Sequence, residues 1–233
     1  MKAIYKREMR SYFTSPIGYI VMIVYLVLYG YLFSVMFASG SPDISSIFSS
    51  FISVTLFMIP VLTMRLFSEE RRQKTDQALF TAPVSLIGIT MGKFFAAFTV
   101  FAMSQAITLV FEVIFAFNVS VDWVNYICSI LGTLLMAGAL IALGIFISSL
   151  TDSQIVSAIG SLSISIVLMV LDTISSINKS TVFSTVANWI SFTSRYNTFT
   201  EGIFDVANTL FFISFAAIFI FLTVRVQESK RWA

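Results

Sequence analysis

Arg65-Leu66-Phe67-Ser68-Glu69-Glu70-Arg71-Arg72-Gln73-Lys74-Thr75-Asp76 carries seven charged side chains in 12 positions and lies between two long apolar runs. Upstream, Ile47 to Met64 holds no charge and contains Pro60; downstream, an apolar stretch runs from about Gly88 to Phe117 with only Lys93 and Glu112 in it. So dense a charge belongs in water, whereas each flanking run is about as long as a bilayer-crossing helix, roughly 20 residues. The charged island therefore joins two membrane spans. Pro60 is compatible with a span where neighbours satisfy the freed carbonyl.

The rest of the chain repeats this alternation. Of 233 residues, 58% are hydrophobic and 11% charged, with a mean hydropathy of +0.92; soluble domains carry about 25% charged residues. A first uncharged run, Ile20 to Ala38, follows a break at Ser15-Pro16-Ile17-Gly18, and the polar stretch Ser39–Asp43 separates it from the second. After Asn118–Trp123 comes a fourth run, Asn125 to Leu150, and the tight turn Thr151-Asp152-Ser153-Gln154 leads into a fifth, Ile155 to Leu171, ended by Asp172. A sixth, Thr209 to Val224, ends in Arg225 and a polar tail. The pattern predicts an all-α polytopic membrane protein with six transmembrane helices, one transmembrane domain over 1–233.

Two segments differ from plain spans. Over 1–15, Ile4, Tyr5, Met9, Tyr12 and Phe13 share one half of a helical wheel and Lys6, Arg7 and Arg10 the other, the signature of an amphipathic interface helix. The run that follows is longer than the roughly 7–15 residues of a signal-peptide h-region. Over 173–208, apolar groups alternate with Asn188, Trp189, Thr193, Arg195, Asn197 and Glu201. Two short outer helices dipping partly into the bilayer fit this composition, since polar backbone at that depth must be buried in protein or face a watery cavity.

Charge and composition remove whole classes of function. Fourteen basic against 12 acidic residues give +2, no field that would draw nucleic acid. With no histidine, Ser-His triads and His-based metal sites are excluded. The lone Cys128 cannot form an intrachain disulfide and reads as packing. Twelve of the 14 basic residues fall on the side of the termini and the charged island, with only Lys179 and Arg195 opposite. By the positive-inside rule both termini, the island and the Thr151 turn are cytoplasmic.

Residues 69–76 hold three basic and three acidic side chains, unlike an anchor for anionic lipid, and continue into Leu79 and Phe80 before Pro83. A mixed-charge helix with an apolar edge suits a groove on another protein. Gly88-Ile89-Thr90-Met91-Gly92-Lys93 resembles a phosphate-binding loop but is one residue short and lacks the Ser/Thr that would hold magnesium. Gly88 and Gly92, extended by Ala96, read instead as a packing ridge; Gly132 and Met136, Gly138 and Ala142, and Gly144 and Ser148 recur four apart in the fourth span and permit close helix contact. Lys93 is expected to reach toward an interface, and Glu112, Asp122 and Asp172 to snorkel or cap near the outer boundary. Gln105 is placed to hydrogen-bond between helices, and Trp123, Tyr126, Trp189 and Trp232 to lie at the interfaces.

Several segments together resemble the permease subunits of ABC-2 type exporters, particularly the gliding-motility type: Lys6 to Tyr19, Pro60 to Arg72, Pro83-Val84-Ser85, Gly92-Lys93 and the ending Glu228 to Trp232. The sequence departs from the family pattern after the arginine pair, where Gly-Thr, a hydrophobe and Glu are usual: Lys74 replaces the glycine, Thr75 matches, Asp76 replaces the hydrophobe and Gln77 the Glu. Near the last span, Glu201 stands where the family has Arg before Gly202, and Asp205 keeps its place. The resemblance implies that 66–86 is a coupling helix docking on a cytoplasmic ATPase subunit through Glu69, Glu70, Arg71, Arg72, Lys74, Thr75, Asp76, Leu79, Phe80 and Pro83. It also implies that two permease subunits, identical or not, form the transmembrane unit in a bacterial inner membrane, with ATP and magnesium held by the partner and no cofactor by this chain.

The expected function is an export permease, with no enzymatic activity of its own, in which ATP-driven closure of the partner rearranges the spans and Asn188, Thr193, Arg195, Asn197 and Glu201 line an exit gate. The alternative is a membrane anchor or mechanical transmitter acting on external partners, such as a periplasmic accessory subunit, without moving a substrate. An intramembrane enzyme would need paired catalytic groups at bilayer depth, and the spans offer none.

Overall fold

A computed structural model describes residues 1–39, 44–75, 85–117, 121–177 and 191–231. Among the described residues the regular structure is helical, with no strand, in the order α1 (Lys2–Thr14), α2 (Pro16–Ser39), α3 (Ile44–Thr63), α4 (Ser68–Arg72), α5 (Leu86–Ala116), α6 (Trp123–Leu150), α7 (Gln154–Ile177), α8 (Phe192–Thr200) and α9 (Val206–Arg231).

Helix α6 is the centre of the bundle. It packs against α3, α5, α7, α8 and α9, and 67% of its most apolar stretch is buried, against 17% for α2 and 11% for α9. Its small residues explain the difference, because without a hydrophobic force between helices in lipid, close backbone approach supplies the contact. A Cβ at Gly144 would overlap the Thr63 side chain of α3, and one at Gly132 would stand 2.5 Å from Phe199 Cβ of α8. Gly138 is less crowded, with Phe94 and Phe98 of α5 beyond 3.6 Å from such a Cβ. Gly92 meets Ile4 of α1, so its close contact is with the first helix, while Gly88 lies in the first turn of α5, where its amide donates to Ser85 Oγ (3.2 Å).

The break between α1 and α2 is one extended residue, Ser15, followed by Pro16 in the first turn of α2, where its missing N–H has no helical partner to lose. Gly18 is needed at this corner: a Cβ there would stand 2.8 Å from the Tyr12 carbonyl oxygen. The stripe α1 buries is Ile4, Glu8 and Tyr12, so a carboxylate occupies the middle of its inner face.

Among the described residues, five helices are long and apolar enough to cross a membrane: Pro16–Ala38, Ser45–Arg72 (α3 continued through a turn into α4), Leu86–Ala116, Trp123–Leu150 and Val206–Arg231. Six spans are predicted from sequence; the remaining one corresponds to α7, whose apolar stretch Gln154–Val170 is shorter. Of the outer segment 173–208, the described part holds the end of α7, the single short helix α8 and the first turn of α9. Helix α9 continues seven residues past the expected end at Val224, to Arg231.

Candidate functional site

The charged island lies at the end of the bundle where α1, the α6–α7 turn and the end of α9 also meet. It is built on a break in a helix. Between α3 and α4 the amides of Phe67 and Ser68 leave the helical ladder and donate to Ser148 Oγ of α6, at 3.1 and 3.2 Å. Ser148 in turn donates to the Met64 carbonyl (3.2 Å), and Ser68 Oγ donates to the same oxygen. One hydroxyl from the neighbouring helix thus satisfies the groups the turn frees, as buried backbone requires.

From that turn the charged side chains spread inward. Arg65 donates to Ser15 Oγ (2.7 Å) and Ser11 Oγ (3.2 Å) and lies over the Tyr12 ring at 4.7 Å. Tyr12, fully buried with its phenol pushed well up by that burial, donates to the Leu62 carbonyl at 2.8 Å. These contacts clamp α1 onto the end of α3.

Deeper still is Lys93 of α5, wholly inaccessible. Its ammonium donates to Glu8 Oε1 (3.0 Å) and to the Leu66 carbonyl, pairs with Glu70 Oε2 (2.9 Å) and lies 5.0 Å from the centre of the Phe67 ring. Arg7 bonds both Glu8 Oε1 (2.9 Å) and Glu70. Two cations and two carboxylates therefore close a neutral ring joining α1, α4 and α5, which is how a charge at this depth is retained. Burial works against the charge of Glu8, but Lys93 and Arg7 outweigh it and hold the carboxyl below the usual carboxylate range. Arg7, although exposed, loses some hydration here, and Glu8 and Glu70 outweigh that cost and push its guanidinium up.

A second link runs to the other side of the island. Arg71 pairs with Asp152 Oδ1 in the α6–α7 turn (3.1 Å) and donates to the Ser149 carbonyl (3.1 Å), which Lys230 of α9 also reaches, at 2.7 Å. Carbonyls in the last turn of a helix lack intrahelical donors and attract cations.

The expected coupling residues divide accordingly. Glu70 and Arg71 are half-buried and engaged inside the chain, Glu69 accepts from Gln73 Nε2 (3.2 Å), and Arg72, Gln73, Lys74 and Thr75 are exposed. Helix α4 spans only five residues. It ends because Lys74 has φ 55, with Lys74 N bonded to the Arg71 carbonyl (3.0 Å) and Thr75 N to the Glu70 carbonyl (2.9 Å). This is a Schellman cap with lysine in the left-handed position that glycine occupies most easily. It is also the position where the family pattern has glycine. Asp76, Leu79, Phe80 and Pro83 lie outside the described residues. Beside the ring a polar recess of about 270 Å³ opens, lined by Arg7, Ser11, Arg65, Glu69 and Gln73 among others.

At the far end of the bundle, α8 is wedged between α3 and α6. Tyr196 is fully buried, its hydroxyl 2.8 Å from Thr133 Oγ1 and 3.3 Å from the Phe48 carbonyl, and Thr200 Oγ1 lies 3.5 Å from Ser49 Oγ. Of the expected gate residues, Arg195 donates to Asn208 Oδ1 (2.9 Å) and lies 4.2 Å from the centre of the Phe211 ring, tying α8 to α9. Thr193 and Asn197 are half-buried on α8; Glu201 is exposed at its C-terminus. The following Gly202 has φ 79, and Asp205 caps α9 through Ala207 N (2.8 Å). The Gly-to-Asp spacing near the last span thus ends one helix and starts the next. Asn188 lies outside the described residues.

Two expectations are corrected. Lys93 does not reach toward the interface, because Glu8 and Glu70 neutralise it inside the bundle. Glu112 does not snorkel: it is 2% exposed and shares a helix face with Thr108, whose hydroxyl lies 3.1 Å from Tyr126 OH. Asp122 does cap, accepting from Val124 N and Asn125 N at 3.1 and 3.2 Å. The part played by Glu8 and Lys93 had one signal in the sequence. A lysine in an apolar span calls for a carboxylate partner, a signal that would have pointed to Glu8, the acidic residue on the otherwise basic 1–15 segment, but that the sequence reading did not use.

Compared with curated proteins, the sequence finds no match. The family model for ABC-2 family transporter proteins matches residues 2–226. An all-helical bundle of membrane-length helices, with its charged connection knotted to both termini at one end, is matched over nearly its whole length, and the chain belongs to the ABC-2 transporter family.

Proposed function

We propose that this chain is the permease subunit of an ABC-2 exporter of the gliding-motility type, driven by a separate ATPase subunit that grips the segment between the second and third spans. The observation that carries the reading is the division of that segment. Its inner face, Ser68, Glu70 and Arg71, is bonded to α1, α5, α6 and the α6–α7 turn, and its tip, Arg72 to Thr75, is exposed. A push on the tip is delivered to most of the bundle at once, and nucleotide hydrolysis then belongs to the partner chain.

Six spans fit the ends of the helices. Helix α7 starts at the charged end, α8 sits at the far end, and α9 returns to place Lys230 on Ser149. These positions support a crossing between Gln154 and Val206, for which α7 is the available described helix. Both termini then share the charged end, and the positive-inside rule makes that end cytoplasmic, in a bacterial inner membrane. Two such subunits form the pathway, α8 with Arg195, Asn197 and Glu201 contributes its outer gate, and a change in the packing of small-residue contacts along α6 opens it.

The test separates the tip from its base. Reversing the charge of the exposed residues, Arg72→Glu with Lys74→Glu, in the full chain should leave its thermal stability unchanged while removing the ATPase subunit that co-purifies with it. Retention of that subunit by the double variant would count against the coupling role. A cysteine at Gln73 should be labelled only from the cytoplasm and one at Ser180 only from outside; the reverse pattern would overturn the orientation.

A further inference from the structure

Between α5 and α9 runs a furrow floored by α6. Its inner half, about 470 Å³, is walled by Phe94, Phe98, Leu135, Gly138, Phe212 and Ala216. The outer half, about 650 Å³, lies at the charged end between Ile87 and Met91 of α5 and Phe221 and Val224 of α9. Ala217 and Ile220 line both, so the two halves are continuous.

The stripe that α9 turns to the furrow changes character along its length. From Phe212 through Ala216, Ile220 and Val224 it is apolar, and then Arg225, Glu228 and Arg231 stand at the mouth. Phe212 to Arg225 rises ~20 Å along a helix, more than the ~15 Å that is half of a bilayer's hydrocarbon core. The mouth therefore lies at headgroup depth when the furrow lies in one leaflet. Arg225 gives one guanidinium nitrogen to Glu228 (2.8 Å) and keeps its other donors, and Arg231 is exposed. Two arginines against one glutamate leave the mouth net positive above a slot with apolar walls.

We infer that this furrow is a binding site for an anionic phospholipid, one acyl chain lying along α9 over Gly138 and the phosphate held by Arg225 and Arg231. Arginine suits the headgroup because its planar fork can take two phosphate oxygens at once. The apolar slot supplies affinity for any acyl chain; the arginines supply the preference for negative charge. The furrow's mouth also takes in Ser85 and Leu86, the last residues of the 66–86 segment, but its lipid occupancy does not depend on that segment's coupling role or on the direction of transport.

The experiment is native mass spectrometry of the full chain in detergent, titrated with phosphatidylglycerol or phosphatidylcholine of identical acyl chains. Wild type should retain phosphatidylglycerol in preference, and Arg225→Ala with Arg231→Ala should reduce that preference by about fivefold per arginine, the strength of a basic side chain beside anionic lipid. Ala217→Trp, which fills the slot, should reduce binding of both lipids alike. Equal retention of the two lipids by wild type, or a preference untouched by the arginine substitutions, would overturn the site. So would disulfide cross-linking of two chains through Ala217→Cys, which would make the occupant a second copy. Should the variants fail to fold, a diazirine-bearing phosphatidylglycerol added to wild type decides between the same outcomes: label on α5 and α9 at the furrow supports the inference, and label elsewhere overturns it.

Discussion

The two ends of the bundle are held together by different physics. At the charged end, a closed ring of Arg7, Glu8, Glu70 and Lys93 ties α1, α4 and α5, and a second ionised link from Arg71 to Asp152 ties α4 to the α6–α7 turn. At the far end, the contacts of α8 are mostly neutral: hydroxyl pairs, Tyr196 with Thr133 and Thr200 with Ser49, rings such as Phe192 against Phe212 and Phe215 at 5.4 and 5.0 Å, and one cation, Arg195, on the amide of Asn208 at 2.9 Å. Removing one member of a buried ion cluster leaves an uncompensated charge, whereas parting neutral contacts costs far less. The charged end is thus suited to move as a unit and the far end to separate.

The sharpest way to break this contrast is Lys93→Met, which strands Glu8 and Glu70. Loss of a buried partner costs ~3–5 kcal/mol, read as a large fall in the thermal unfolding midpoint of the purified chain. Adding Glu8→Gln should recover part of it, and a single variant as stable as wild type would show the ring to be ornamental. Ser148→Ala comes next, since it leaves the amides of Phe67 and Ser68 without an acceptor, at ~1–3 kcal/mol. Protease cleavage near Met64 should rise in parallel.

Acid should also discriminate between the ends. The folded-state pKa of Glu8 is depressed, so its contribution is present above the ordinary glutamate pKa, ~4.3, and is lost as pH falls through the lower folded value. Cysteine accessibility should therefore rise at the charged end, between α1 and α4, in that acid range, with little change between α8 and α6. Tyr196→Phe, which removes the Thr133 contact, should cost only ~0.5–1.5 kcal/mol; a loss as large as that for Lys93→Met would erase the contrast. Smallest, and opposite in sign, is Lys74→Gly. A side chain in the left-handed conformation costs ~1–2 kcal/mol, partly offset by glycine's greater freedom in the unfolded chain. A slight gain in midpoint is expected, with α4 otherwise unchanged.

Much of this was legible in advance because membrane helices advertise themselves by length and apolarity. The first, third and fourth spans lie within a few residues of their expected limits, the last starts close to its expected residue but runs on past Val224, and the small residues of α6 accompany its close contacts. Other features were partly legible. Arg71 and Asp152 belong to the two polar turns read as sharing one side of the membrane, yet no spacing rule pairs residues so distant in the chain. Lys74 was visible as a departure from a glycine, but its backbone conformation was not, because only the cap at Thr75 fixes it.

Composition, hydropathy and the placement of basic residues determined an all-helical membrane protein with one dense charged connection, since the cost of burying backbone and charge in lipid acts on local sequence. Tertiary structure alone decided that Glu8 and Glu70 face Lys93, that Ser148 receives the broken turn, and that α5 and α9 leave a furrow between them. Those facts depend on which helix lies beside which, and in a bilayer that choice comes from shape and from a few buried polar pairs distant in the chain.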